Sequence, residues 1–217
     1  MAREHLPKPF MPKSEWDRLY EFNAGADECD CSEGEWKTIA IPDGATALEV
    51  YRMIPSAPNF EYGGYLAEDK IHFTKCNEKS AGTRTSALCN FHTHPTDLPG
   101  TVPDMPSAKD VYAFLKWSNH RAVTVGKELI WVFDKTEQTI PVIQKFANWE
   151  RQNMLATFRQ VEQQGSNDAA GDYVFHPLGE LGLHWPQQGS EVTEKLLKSW
   201  AIELEQCLRF KVTVFDR

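Results

Sequence analysis

Ser86-Ala87-Leu88-Cys89-Asn90-Phe91-His92-Thr93-His94-Pro95 is the stretch on which the fold of this chain turns. Its apolar run leads up to the histidines, which predicts a strand with His92 at or just past its end. On an extended segment residues two apart point the same way, so both imidazoles can meet one metal ion. An H-x-H also arises by chance. Here the apolar run before it and the proline-rich stretch after it place the pair at a strand end facing a cleft, where sites are usually built. Pro95, Pro99, Gly100, Pro103 and Pro106 mark a long loop without regular structure. Ser107 then caps a helix over Ala108–Trp117 that carries Val111, Phe114 and Leu115 on one face. Ala122–Val125 and Leu129–Phe133, either side of Gly126-Lys127-Glu128, predict a hairpin.

Working outward, Lys37–Ile41 predicts a strand ended by the turn Pro42-Asp43-Gly44, and Ala45–Ile54 a helix stopped by Pro55. Glu61–Ala67 and Lys70–Lys75 predict two further strands, and Ser80–Arg84 a polar loop. On the downstream side Gln144–Gln164 has helical spacing, residues 165–190 are Gly-, Pro- and Gln-rich loop, Glu191–Cys207 is a second helix and Phe210–Phe215 a last strand. Residues 1–36 are expected to be an irregular arm with a helical turn or two around Trp16, Leu19 and Tyr20. The division expected is this arm, a domain over 37–143, and a C-terminal helical extension over 144–217 that ends in a strand. The element order predicts an α/β (α+β) fold, a mixed and partly antiparallel sheet flanked by helices.

Composition bounds the partners. The 217 residues are 41% hydrophobic and 25% charged, with seven Trp and twelve Phe, ample for a globular core. A net charge of −8 argues against nucleic acid as the main partner. No apolar run approaches the roughly 20 residues of a membrane span. Met1–Phe10 holds Arg3, Glu4 and Lys8 and no apolar stretch, so no secretory signal is expected. The cysteines number five, which predicts free thiols in a reducing, intracellular compartment, cytoplasmic or nuclear. Cys29-x-Cys31 is open to a metal or redox reading, though it lacks the C-x-x-C spacing.

A catalytic zinc typically takes three protein ligands and keeps a fourth position open. Asp110 suits the third place, because it lies one turn into the helix that Ser107 starts, and that helix end carries partial positive charge. Ser107-x-x-Asp110 is equally close to a capping box, in which the aspartate merely reaches back to the cap. Asp97 and Asp104 are alternative carboxylates without that context.

Taken in order, these pieces resemble the JAMM family of metalloproteases (the MPN-plus or JAB domain), whose signature is an upstream glutamate, then H-x-H-P, then S-x-x-D. The matching residues are Glu61 within Glu61-Tyr62-Gly63-Gly64-Tyr65-Leu66, then His92-Thr93-His94-Pro95, then Ser107-Ala108-Lys109-Asp110. The likeness spans roughly residues 37 to 140 and implies an MPN/JAB-like sheet. It also implies that His92, His94 and Asp110 bind Zn²⁺, that Glu61 moves the proton as general base and then acid, and that Ser107 donates to the oxyanion. The implied substrate is a protein or peptide cut at an amide or isopeptide bond, ubiquitin or a ubiquitin-like protein among the candidates. One departure is the fifteen residues between His94 and Asp110, more than the family usually has. The extra length falls in loop, which accepts insertions at small cost. The competing reading is a catalytically silent MPN-like scaffold in a larger assembly. An amidohydrolase barrel would need around eight βα units, which this element order does not supply. His72 is expected to be exposed, His120 to be a surface or helix-end group, and His176 and His184 to lie in the C-terminal loop.

Overall fold

The computed structural model describes residues 4–9, 11–19, 35–76, 87–96, 104–148 and 194–217. Its centre is a seven-stranded sheet in the order β1-β3-β2-β4-β5-β6-β7. The strands are β1 (Lys37–Ala40), β2 (Tyr62–Leu66), β3 (Lys70–Lys75), β4 (Cys89–Thr93), β5 (Arg121–Val125), β6 (Leu129–Asp134) and β7 (Lys211–Asp216). The helices are α1 (Lys13–Leu19), α2 (Ala47–Arg52), α3 (Ala108–Lys116), α4 (140–148) and α5 (Glu194–Leu208). The mixed α/β class read from the sequence is therefore found, and strands and helices fall within a few residues of their predicted places. Cys29, Cys31, Asp97, His176, His184 and the Ser80–Arg84 loop lie outside the described residues, as does most of Gln144–Gln164.

Five of the six strand pairings are antiparallel, and β4 with β5 is the parallel one. Parallel neighbours need a crossover, and the connection from β4 to β5 contains α3. A crossover that leaves the end of β4 must bring the start of α3 to that same end of the sheet. Asp110, in the first turn of α3, is delivered in this way to the histidines at the end of β4.

Alternation along the strands separates two cores. On one face Trp131 and Phe133 pack with Val111, Phe114 and Leu115 of α3, Ile143 and Phe146 of α4, and Trp200, Leu204 and Leu208 of α5. On the other, Ile71, Phe73, Phe91, Val123, Val125, Ile130 and Val132 pack with Val50, Tyr51 and Ile54 of α2. Each large apolar side chain so buried contributes about 1.5–3 kcal/mol. Phe91 faces the α2 side, so His92 faces the α3 side. The C-terminal part is built into this scheme, since β7 pairs along the whole of β6 and α5 shares a core with α3.

Arg121 joins four parts of the molecule. Its guanidinium makes a bidentate pair with Asp134 across β5 and β6 at 2.6 and 2.8 Å, and donates to the Tyr51 hydroxyl and the Glu4 carbonyl, each at 2.9 Å. His5 adds a contact to the Ala67 carbonyl at 3.0 Å, so residues 4–6 of the arm are fastened to the α2 side. At the far edge, Glu205 accepts the Val212 amide and Arg52 donates to the Asp216 carbonyl, so charged side chains occupy the ends of edge strand β7.

Two histidines differ from expectation. His120 is buried at 3% exposure, and burial, helped by the nearby Lys135 charge, pushes its pKa down to about 4. The cause is the segment after α3, which tucks under β6: the Lys135 amide donates to the His120 carbonyl, and its ammonium donates to the Trp117 carbonyl. His72 is half-buried and stacked on Tyr65, its cross-strand partner, with ring centroids 4.5 Å apart. Among the described residues, Cys76, Cys89 and Cys207 form no disulfide, and no helix is long and apolar enough to cross a membrane.

Candidate metal centre

His92, His94 and Asp110 meet as the sequence spacing predicts. The Nε2 atoms of His92 and His94 lie 3.2 Å apart. Asp110 spans them, with Oδ1 3.2 Å from His92 Nε2 and Oδ2 3.3 Å from His94 Nε2. The side chains are 12–23% exposed, so the group is recessed but reaches the surface.

These distances can be set against those of a metal site and of a plain hydrogen-bonded triad. A tetrahedral zinc with bonds of about 2.0–2.1 Å holds its donor atoms about 3.3–3.4 Å apart. A charge-assisted N–H···O⁻ bond would instead close to about 2.7–2.9 Å. The two imidazole nitrogens, 3.2 Å apart, and the carboxylate contacts of 3.2 and 3.3 Å, one from each oxygen of Asp110, lie near the first dimension. Two nitrogens and a carboxylate oxygen are also the donor set that zinc takes. The group could therefore hold a metal ion.

Asp110 reconciles the two readings of Ser107-x-x-Asp110. Its Oδ2 accepts the Ser107 amide at 2.6 Å while the Ser107 Oγ accepts the Asp110 amide at 3.3 Å, a complete capping box. The same carboxylate still faces both histidines, so capping and metal ligation are compatible roles of one side chain. Because Ser107 Oγ accepts from the backbone, its hydroxyl hydrogen remains available to donate.

Glu61 precedes β2 and shares the face of Gly63, the residue paired with His92. Its carbonyl accepts the Cys76 amide at 2.8 Å, which fixes the backbone there. Burial raises its pKa; the neighbouring imidazoles of His92 and His94 pull the other way and Asp110 pushes up again. Burial would also raise Asp110, but the two imidazoles hold its carboxyl well below the usual range. For His92, burial lowers the pKa, and the Asp110 and Glu61 carboxylates more than reverse this, leaving it raised.

That raised value has a consequence for metal affinity. A histidine ligand must be unprotonated, so a cation competes with the proton on His92. Affinity is expected to tighten as pH rises through and above the ordinary histidine value of about 6.5, and to weaken by up to about tenfold per pH unit, per proton displaced, below it. Competition with a chromophoric chelator between pH 5.5 and 8 checks this, and a flat profile would contradict it.

Asp104, the alternative carboxylate, is occupied elsewhere. It accepts the Glu128 and Leu129 amides, and its carbonyl accepts the Trp131 indole, so it pins the loop before α3 to the β5–β6 turn. Thr124, which nothing in the local sequence singles out, lies beside His92, with Oγ1 3.5 Å from Nε2. Comparison with known proteins gave no matching family model, no matching curated protein and no matching solved structure.

Proposed function

We propose that this chain is a zinc-dependent hydrolase of the JAMM type that cleaves an amide or isopeptide bond in a protein or peptide. The observation that carries the reading is the convergence of His92, His94 and Asp110, whose carboxylate faces both imidazole nitrogens, with Glu61 on the same sheet face. Zinc, when bound there, supplies a Lewis acid and lowers the pKa of water toward about 7.

The chain's own residues account for the remaining chemistry. Glu61, its pKa raised by burial, is suited to take a proton on its carboxylate from the attacking water and return it to the leaving amine. Ser107, the N-cap at the positive end of α3, takes the role of hydroxyl donor to the developing oxyanion, an effect of about 10²–10³-fold in comparable sites. The substrate class stays with the resemblance: an isopeptide link to ubiquitin or a ubiquitin-like protein, or a peptide bond.

Glu61→Gln tests the assignment. It keeps the shape of the side chain but removes the carboxylate that carries the proton. Zinc content should match the parent, while hydrolysis of lysine-linked ubiquitin dimers and of a peptide panel falls by about 10²–10⁴-fold. Undiminished turnover in this variant would remove Glu61 from the reaction. A parent that holds zinc yet cleaves none of these would fit a docking module instead.

A further inference from the structure

Thr124 pairs with His92 in the parallel register of β4 and β5, so the two side chains stand next to each other on one sheet face. Its Oγ1 is 3.5 Å from His92 Nε2, and the residue is 1% exposed. Two further polar side chains share this face. Thr74 lies in the same cross-strand row as Gly63 and His92, and Asn90 sits two residues before His92. Thr74 is 0% and Asn90 1% exposed, and the Thr74 hydroxyl and both amide atoms of Asn90 have no hydrogen-bond partner among the described residues.

Farther along the same face, Trp131 and Phe133 pack as an ordinary apolar core. Buried hydroxyl and amide groups without partners cost stability. Buried polar side chains on this face, of which Thr124 alone contacts His92, therefore call for a partner.

The nitrogen that Thr124 faces is the one in the metal triangle. It carries a single lone pair or a single hydrogen, so it cannot serve Thr124 and a cation together. Once that nitrogen is engaged, the hydroxyl is shut away from water and needs another acceptor. We infer that Thr124 is a substrate-binding residue whose hydroxyl donates to the carbonyl oxygen of an amide group brought against the His92–His94–Asp110 triangle. This rests on the hydrolase reading. The ligand class is an amide carbonyl or its hydroxamate analogue, because a hydroxyl that donates needs an oxygen acceptor.

The test titrates acetohydroxamate into the zinc-loaded chain by calorimetry, for the parent, Thr124→Val and Thr124→Ser. Zinc affinity is measured in parallel by chelator competition. Thr124→Val should keep the parent's zinc affinity and bind acetohydroxamate about tenfold more weakly, the loss of one hydrogen bond to the ligand. Thr124→Ser, which restores the hydroxyl, should recover the parent affinity. Equal hydroxamate affinity in the parent and Thr124→Val overturns the inference. Loss of zinc by Thr124→Val also overturns it, since the residue would then only support His92. A parent that takes up no zinc defeats the hydrolase reading and this inference with it, an outcome distinct from a zinc-loaded parent indifferent to Thr124.

Discussion

Replacing Asp110 with Glu is expected to abolish metal binding while leaving the start of α3 intact. Asp110 closes the cap of α3 and faces both imidazoles, and the substitution separates the two. Glutamate at the third helical position is the usual partner in a capping box, so it can still reach the Ser107 amide. The added methylene, however, displaces the carboxylate from the two imidazole nitrogens that its oxygens face at 3.2 and 3.3 Å. Metal content should fall from about one ion per chain to near zero, with stability within about 0.5 kcal/mol of the metal-free parent. Asp110→Ala should lose the ion and also destabilise the fold by about 1 kcal/mol, because the cap goes with it. Elemental analysis together with urea unfolding of the metal-free proteins checks both. If Asp110→Ala bound metal like the parent, the carboxylate would be a cap and nothing more.

Gly64→Ala is expected to cost more than about 4 kcal/mol and to leave little folded protein. A methyl group at this position would stand 2.0 Å from the His72 carbonyl oxygen and 2.7 and 2.9 Å from two atoms of the Phe91 ring. Gly64 is paired to Phe73 on one side and Phe91 on the other, so neither neighbouring strand can withdraw without opening the sheet beside the histidines. Gly44→Ala is the natural control. Gly44 has a φ of +80° with nothing within 4 Å of an added methyl, so only the left-handed backbone is penalised, by about 1–2 kcal/mol. Denaturant midpoints of the two variants should separate widely, and a Gly64→Ala protein as stable as the parent would mean that β2 is not packed as described.

What could be read from the sequence was local. The H-x-H spacing of two, the Ser-x-x-Asp spacing of three and the Gly turn between β5 and β6 each specify a neighbourhood through backbone geometry alone, and each is found. Long-range relations were not encoded in this way. Nothing near Thr124 says that it will stand next to His92, because a parallel register is set by the crossover through α3. The last strand was legible as a strand, but not that β6 would be its partner. His120 follows a helix and so read as a surface or helix-end group, yet contacts with Lys135 and β6 bury it. Asp104 gave no local sign of its task, which is to hold amides more than twenty residues further along the chain. The choice between cap and ligand at Asp110 had no sequence answer, because one carboxylate both closes the cap and faces the two imidazoles.

The most direct test of the metal centre is the metal content of the purified parent chain, measured by plasma mass spectrometry before and after incubation with zinc and desalting. About one zinc ion per chain, absent from Asp110→Glu, is the predicted result. No bound zinc in the parent, even after incubation, would contradict the account, and the His92–His94–Asp110 triangle would be a hydrogen-bonded cluster without a cation.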